Sequence, residues 1–280
     1  MLATRMRQAA ANAGVTYLSD SLSAQPWAVW GFEQFKLAYT GPAIRLRRAS
    51  DNVESDFSFL ASGQLDYAAI SSWAGGTSYV DTLYDLTGNG HHWTQATNGN
   101  QAAFAPTGIN GKGAADVVPG SSNFMTMTDD ISTSAGKTFA AVYHPDSAVA
   151  ADQRLIHMVN DSPGGNIIAA HLITTAGRTG YFDSSWKNIA AATSAAQLMV
   201  WHLASSGTGT MYRNGSSIGS STYTDKTAVS TTSHKLWSNV GGTGGFYDGK
   251  ISFFAIWESA IDTTDRDALW TYMETSWGLP

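Results

Sequence analysis

From Tyr39 onward, apolar and polar positions alternate over short runs broken by turn residues. In "AIRLRRAS", Ala43, Ile44 and Leu46 alternate with Arg45 and Arg47, roughly the period of a strand with one buried face. Residues 51–58 predict the returning arm of that hairpin. "LDYAAISSWAG", residues 65–75, changes to helical spacing, with Leu65, Ala68, Ala69 and Trp73 on one side. "SYVDTLYD" then returns to strand. Further runs predict strands over 138–143, 155–159, 167–173, 178–182, 198–204, 210–213, 235–238 and 249–257. "YRNGSSIGS" sets Asn-Gly between short strands, the strongest local hairpin signal. "DTTDRDALWTYMETSWGL" predicts a closing helix. Asp262 caps it, Asp265 sits three positions on, and Leu269, Tyr272, Met273 and Trp277 follow at helical spacing before Gly278 and Pro280. Many strands with one early and one terminal helix predict an all-β, two-sheet sandwich.

The first 34 residues depart from this pattern. "TRMRQAAANAG" predicts a short helix ending at Gly14, and "SDSLSAQPWAVW" leads into the body. A segment this short cannot bury a core of its own. Residues 1–34 are therefore expected to be an arm packed on the main domain or an attachment segment for a partner, ahead of one sandwich over 35–280.

Composition narrows the partners. Charged residues are 14% of the chain, while Gly (28) and Trp (10) are abundant, which suits short strands and tight turns. A net charge of −6 gives no reason to expect nucleic acid. No apolar run approaches 18 residues, so no membrane insertion is expected. With no cysteine, disulfides, thiolate metal sites and a cysteine nucleophile are excluded. "MLATRMRQAAANAG" has no apolar stretch of the kind a secretory signal needs, so synthesis in a cytoplasm is expected.

Several segments taken in order resemble the concanavalin A-like, laminin-G-like jelly-roll modules. They are the turn Asp85-Leu86-Thr87-Gly88-Asn89-Gly90, the "HHWTQAT" that follows, the "GINGKGA" hairpin, and "GGFYDGKISFFAIWESAIDTTDRDALWTYMETSWGL" near the C-terminus. The earlier "FKLAYTGPAIRLRRASDNVESDFSF" resembles the start of the catalytic domain of fungal-type α-L-arabinofuranosidases. It resembles more closely a group of bacteriophage tail and virion proteins that share that start. The resemblance implies a concanavalin A-like jelly-roll β-sandwich with a short early helix and a C-terminal closing helix. It also implies a virion component of the tail or capsid surface, made in the host cytoplasm.

The candidate chemistry bears on whether such a chain is an enzyme. A glycoside hydrolase needs two carboxyl groups flanking the scissile bond. The four glutamates, Glu33, Glu54, Glu258 and Glu274, form no pair by sequence. Resemblance to the arabinofuranosidases implies an acid in the glycine-rich segment before "FYEG". Here that segment carries Gly241, Gly242, Thr243 and Gly244, and Asp248 stands at the Glu of the motif. No catalytic residue is expected on that reading, with a glycoside hydrolase of the arabinofuranosidase type as the alternative.

Asp85 could place its carboxylate in a Ca²⁺ site, which wants six to eight oxygens, or bind backbone N–H groups across the glycine turn; the turn is favoured. Neighbouring His91 and His92 on a strand point to opposite faces and cannot share an ion. Sugars stack on exposed aromatic rings while Asp and Asn bind their hydroxyls. Trp186 with Asp183, and Tyr247 with Asn239, are therefore the carbohydrate-binding candidates. Trp201, Trp257, Trp270 and Trp277 are expected in the core. Arg45, Arg47 and Arg48 read as a solvated strand face, with an anionic glycan or a neighbouring subunit as the other reading. The expected function is binding without catalysis: host surface glycan, neighbouring virion subunits through the N-terminal segment, or both, as a homo-oligomer. No cofactor is expected beyond a possible Ca²⁺.

Overall fold

The computed structural model describes residues 15–129, 131, 136–147, 152–159, 166–173, 177–183, 185–223, 234–239 and 242–280. The chain begins with strands β1 (Ala28–Gly31), β2 (Ile44–Arg48) and β3 (Glu54–Phe57), then helix α1 (Tyr67–Ala74). β4 (Ser78–Leu83), β5 (Trp93–Thr94), β6 (Ala103–Ile109), β7 (Lys112–Val117), β8 (Met125–Met127) and β9 (Lys137–Pro145) follow. Next come β10 (Gln153–Val159), β11 (Asn166–Ile173), β12 (Arg178–Phe182), β13 (Trp186–Ala191) and β14 (Gln197–Ala204). β15 (Thr208–Arg213), β16 (Ser216–Thr222), β17 (His234–Leu236), β18 (Gly249–Trp257) and helix α2 (Thr263–Trp277) complete it.

The strands pair antiparallel into two layers. In one, β18 carries β9, β14, β15 and β16 on one side, while β1 and β7 lie against the two ends of its other edge. The other runs β3-β2-β4-β5-β8-β17-β10-β11-β12-β13. β6 joins the layers, pairing with β7 and meeting β4 at Tyr79↔Ala103. The expected β-sandwich with an early and a closing helix is the fold found.

The central strands do not alternate, and the packing says why. β18 is buried along almost its whole length because α2 covers its outer face. Trp277 Nε1 donates to Ser252 Oγ at 3.0 Å and its ring meets Phe253 edge-on. Across the core, Trp201 Nε1 donates to Gly180 O at 2.9 Å, so an indole of one layer caps a carbonyl of the other. A buried indole N–H needs such a partner. Trp257 and Trp277 are buried as expected, while Trp270 is only half-buried.

Local signals place the turns and caps. Asn110-Gly111 and Asn214-Gly215 both take positive φ, the type I′ geometry that matches strand twist in two-residue hairpins. Asp262 Oδ1 accepts from Asp265 N at 2.8 Å, the predicted cap of α2, and Gly278 ends the helix in the left-handed region. The early helix is displaced from its expected face: Ile70 and Ala74 are buried, Trp73 is half-buried, and Ala68 and Ala69 are exposed. α1 is short and lies on the surface, so only one narrow stripe reaches the core. β13, too polar to show as an apolar run, was not predicted as a separate strand, while β16 is the second arm of the Asn-Gly hairpin.

The predicted helix before Gly14 lies outside the described residues, but from Val15 the chain is part of the sandwich. β1 pairs with β18 from Ala28↔Ile256 to Gly31↔Phe253. Ser23 N and Ala24 N both donate to the buried Asp265 carboxylate at 2.7 Å. Residues 23–31 are thus tied to the sandwich by strand pairing and by the Asp265 carboxylate. Among the described residues, no helix is long and apolar enough to cross a membrane.

Candidate functional site

Asp85 is fully buried and its two oxygens are filled from within the protein. Oδ1 accepts from Val29 N (3.1 Å), Thr87 N (2.9 Å) and Thr87 Oγ1 (2.8 Å). Oδ2 accepts from Asn89 N and Gly90 N, each at 3.1 Å. A cation would have to displace these donors, so the hydrogen bonds favour the turn reading over calcium. His92 Nδ1 accepts the Asp85 N–H at 3.0 Å, which places that imidazole's own proton on Nε2. Burial holds His92 below the ordinary histidine range. His91 instead faces Asp129 at 3.0 Å and stacks on Trp27 at 3.7 Å. The two histidines have separate partners, as their opposite directions require.

Three of the four carbohydrate candidates gather around Arg154, at the start of β10. The Arg154 guanidinium donates to Asp152 Oδ2 (2.7 Å) and His157 Nδ1 (2.8 Å), and lies 5.6 Å from the Trp186 ring centroid. Trp186 opens β13, is 46% exposed, and meets Phe182 edge-on at 5.3 Å. Asp183, in the turn before it, is buried and sits 3.7 Å from Lys187 Nζ.

Also against Arg154 is the connection from β17 to β18, and Asn239 shapes it. Asn239 N donates to Gly244 O (2.8 Å), its carbonyl accepts from Gly242 N (2.9 Å), and its Oδ1 accepts from Thr243 N (3.1 Å). Its groups are engaged in closing the loop. Arg154 N donates to Gly245 O at 3.1 Å, which ties that loop to the start of β10. Gly245 has φ +61, and a Cβ there would come within 3.1 Å of Arg154 Nε. Just ahead, Trp237 has φ +69, a conformation that bulky side chains rarely adopt. Hydrogen bonds from Trp237 N to Leu155 O (2.7 Å) and from Tyr247 N to Trp237 O (3.0 Å) hold it there. Such strain costs of order 1–3 kcal/mol and gathers at binding and catalytic sites.

Tyr247 is a correction. It is fully buried, packs edge-on against Tyr143 at 6.1 Å, and donates its hydroxyl to Lys250 O at 3.4 Å. No ring face remains for a sugar. Of the arginine face only Arg47 is a correction, since Arg45 and Arg48 pair with acids at the surface. Arg45 forks onto Asp56 (2.8 and 2.9 Å), Arg48 pairs with Asp51 (2.7 Å), and Arg47 is buried against Gln101 and Asn52.

Sequence reasoning missed Arg154 and Asp152, and it named Asp248 only as the match to a motif glutamate, without the two aspartates grouped with it. Lys250 Nζ lies 3.4 Å from Asp116 and 3.5 Å from Asp146. Asp248 stands next to them; its carbonyl accepts from Asp146 N (3.1 Å) and its N–H reaches Gln153 Oε1 (3.3 Å). Burial, then the charges of Asp146 and Asp116, push its carboxyl above the ordinary aspartate range. The group comes from β7, the end of β9 and the start of β18, and no sequence spacing announces it. Of the glutamates, Glu33 pairs with Lys112 at 2.9 Å.

Comparison with known proteins leads to one family. The model of the α-L-arabinofuranosidase B catalytic domain matches residues 33–167, just under half of the chain. An α-L-arabinofuranosidase of Hypocrea jecorina is 41% identical over 63 residues, 22% of this chain and 13% of that enzyme. α-L-Arabinofuranosidase B of Aspergillus oryzae is 35% identical over 92 residues, 28% of this chain and 18% of the enzyme. In three dimensions, an arabinofuranosidase solved with arabinofuranosyl-α-1,2-xylobiose superposes with a TM-score of 0.72 at 15% identity. That match covers 91% of this chain and 63% of the other. The fold is therefore that of the arabinofuranosidase β-sandwich, while the chain spans less than two thirds of these proteins.

These matches overturn the resemblance to bacteriophage tail and virion proteins, because they run to fungal glycoside hydrolases instead. The virion partners, the host-adhesion role and the virion location fall with it. The preference for a chain without catalysis gives way to a likeness to hydrolases. The start "AYTGPAIRLRRASDN" lies inside the matched residues 33–167 and belongs to the arabinofuranosidase likeness.

Proposed function

We propose that this chain is a glycoside hydrolase module of the arabinofuranosidase type, releasing arabinofuranosyl groups from a polysaccharide. The observation that carries the reading is the arabinofuranosidase B match over residues 33–167, which runs through the first hairpin and the Asp85 turn to β10 and Arg154.

Hydrolysis of a glycosidic bond needs one carboxyl that can give a proton and one that stays ionised. The surroundings of Asp248 and Asp152 divide these roles. Asp248, held above the ordinary range, is the proton donor. Asp152, held by the Arg154 guanidinium, is the ionised partner that acts as nucleophile or activates water. The two stand on adjoining segments, since Asp248 N–H binds the side chain of Gln153. Asp248 thus supplies the acid absent from Gly242, Thr243 and Gly244.

The test is steady-state hydrolysis of 4-nitrophenyl α-L-arabinofuranoside by the protein and by Asp248→Asn and Asp152→Asn. Each variant is expected to lose at least about 100-fold in kcat. Cleavage that survives both substitutions moves the reaction elsewhere. A protein that cleaves neither this substrate nor arabinoxylan overturns the reading.

A further inference from the structure

The two proposed acids stand on different elements, and one buried side chain joins them. We propose that Gln153 is a positioning residue for the hydrolytic pair: it holds the Asp248 backbone against the strand start that follows Asp152, and it does so without adding charge. This role rests on the proposed activity for the reaction it serves, while the contact and its electrostatic effect are measurable without cleavage.

Gln153 opens β10 directly after Asp152 and is buried. Its Oε1 accepts from Asp248 N at 3.3 Å. On the far side of the same residue, Asp248 O accepts from Asp146 N, at the end of β9, at 3.1 Å. The backbone of Asp248 is thereby held from two strands. Arg154 N adds a further tie between β10 and this connection through Gly245 O. One strand start thus carries Asp152 and, through the next side chain, fixes the residue that bears the other carboxyl. Hydrolysis depends on the separation of the two carboxyls, and a misplacement of about 1 Å costs about 100-fold in rate. A short side chain on a regular strand is a stiffer support than a loop.

The side-chain type matters as much as its place. Asp248 is faced by Asp116 from β7, Asp146 from the end of β9 and Lys250 from β18. The buried phenols of Tyr143 and Tyr247 lie beside this group, and β10 brings Asp152 and Arg154. Holding a peptide N–H needs an acceptor, which glutamine and glutamate both supply. A glutamate would set one more negative charge beside the aspartates and make Asp248 still harder to ionise. The amide supplies the oxygen alone.

The experiment compares the whole chain with Gln153→Glu and Gln153→Met in two readouts. One is ¹³C NMR titration of the Asp248 side-chain carboxyl, its resonance identified by loss in Asp248→Asn. The other is the pH profile of kcat and KM on 4-nitrophenyl α-L-arabinofuranoside. Gln153→Glu keeps an acceptor and sets a second carboxyl beside Asp248. The two then titrate as a coupled pair, and the last step of the Asp248 resonance is expected to move up by about one pH unit. The alkaline limb of the kcat profile should move with it. Gln153→Met keeps the bulk and removes the acceptor, so kcat should fall about tenfold while KM stays within about twofold. An Asp248 titration unmoved by Gln153→Glu, or a full kcat in Gln153→Met, overturns the role. A titration that moves in a protein that cleaves nothing leaves the contact standing and removes the activity. The Tm of each variant confirms that it folds.

Discussion

The Asp85 turn and the Arg154 cluster use the same materials, an aspartate, glycines in the left-handed region and aromatic rings, to opposite ends. In the turn, the Asp85 carboxylate is fully buried and filled by donors from the turn itself and from Val29 of β1. In the cluster, residues from β10, β13 and the β17–β18 connection meet around one arginine, and an indole remains half open. The turn ties β1 to the segment after β4 and makes the sandwich. The cluster has what the turn lacks: exposed ring surface, a strained backbone at Trp237 and a carboxyl displaced from its ordinary range. A dense motif is thus a poor guide to chemistry when all its donors and acceptors are already satisfied.

If that contrast holds, the largest stability effect belongs to Asp85→Ala. It leaves several buried N–H groups and the Thr87 hydroxyl without an acceptor, at a cost of about 3–5 kcal/mol. Thermal unfolding should show Tm lowered on the order of 10 °C. A fall of under about 2 °C would mean the turn does not hold the layers together.

Gly245→Ala comes next and sharpens the cluster half. The substitution forces a Cβ into a positive-φ position and against Arg154 Nε. A loss of about 1–2 kcal/mol is expected. The displaced guanidinium should also change the fluorescence of the exposed Trp186. Unaltered fluorescence would mean that Arg154 is not fixed by the loop.

The smallest stability effect, and the most telling, is Asp248→Asn. The folded protein raises this carboxyl, so it binds the proton more tightly than the unfolded chain does. The group therefore destabilises the fold as pH rises through and above the ordinary aspartate range. Its amide should raise Tm slightly at pH 7, and the gain should fade as pH is lowered below that range. A gain in stability joined to a loss of hydrolysis marks a residue kept for function. A loss of stability at pH 7 would contradict the assignment.

The fold was largely legible because its signals are local. Alternation gave β2, the Asn-Gly pairs gave two hairpins, and Asp262 with Gly278 bounded α2. β13 escaped because an edge strand needs no apolar run. The site was harder to find. Trp186 and Asp183 were named from an aromatic beside an acid in a loop, but Tyr247 carries the same signal and is buried. Asn239 looked like a sugar ligand and instead closes its own loop. Arg154, Asp152 and the three aspartates around Lys250 come together only through strand pairing, which no spacing in the chain encodes. The virion reading rested on the start over 35–59, and the arabinofuranosidase match that contains it and extends to residue 167 overturned it.

The most direct test of the account is a time course of free arabinose from arabinoxylan, comparing the protein with Asp248→Asn at equal concentration. The account predicts steady release by the protein and a rate at least about 100-fold lower in the variant, with Tm unchanged or slightly higher. Equal rates from both, or no arabinose from either, would contradict a hydrolytic site around Arg154.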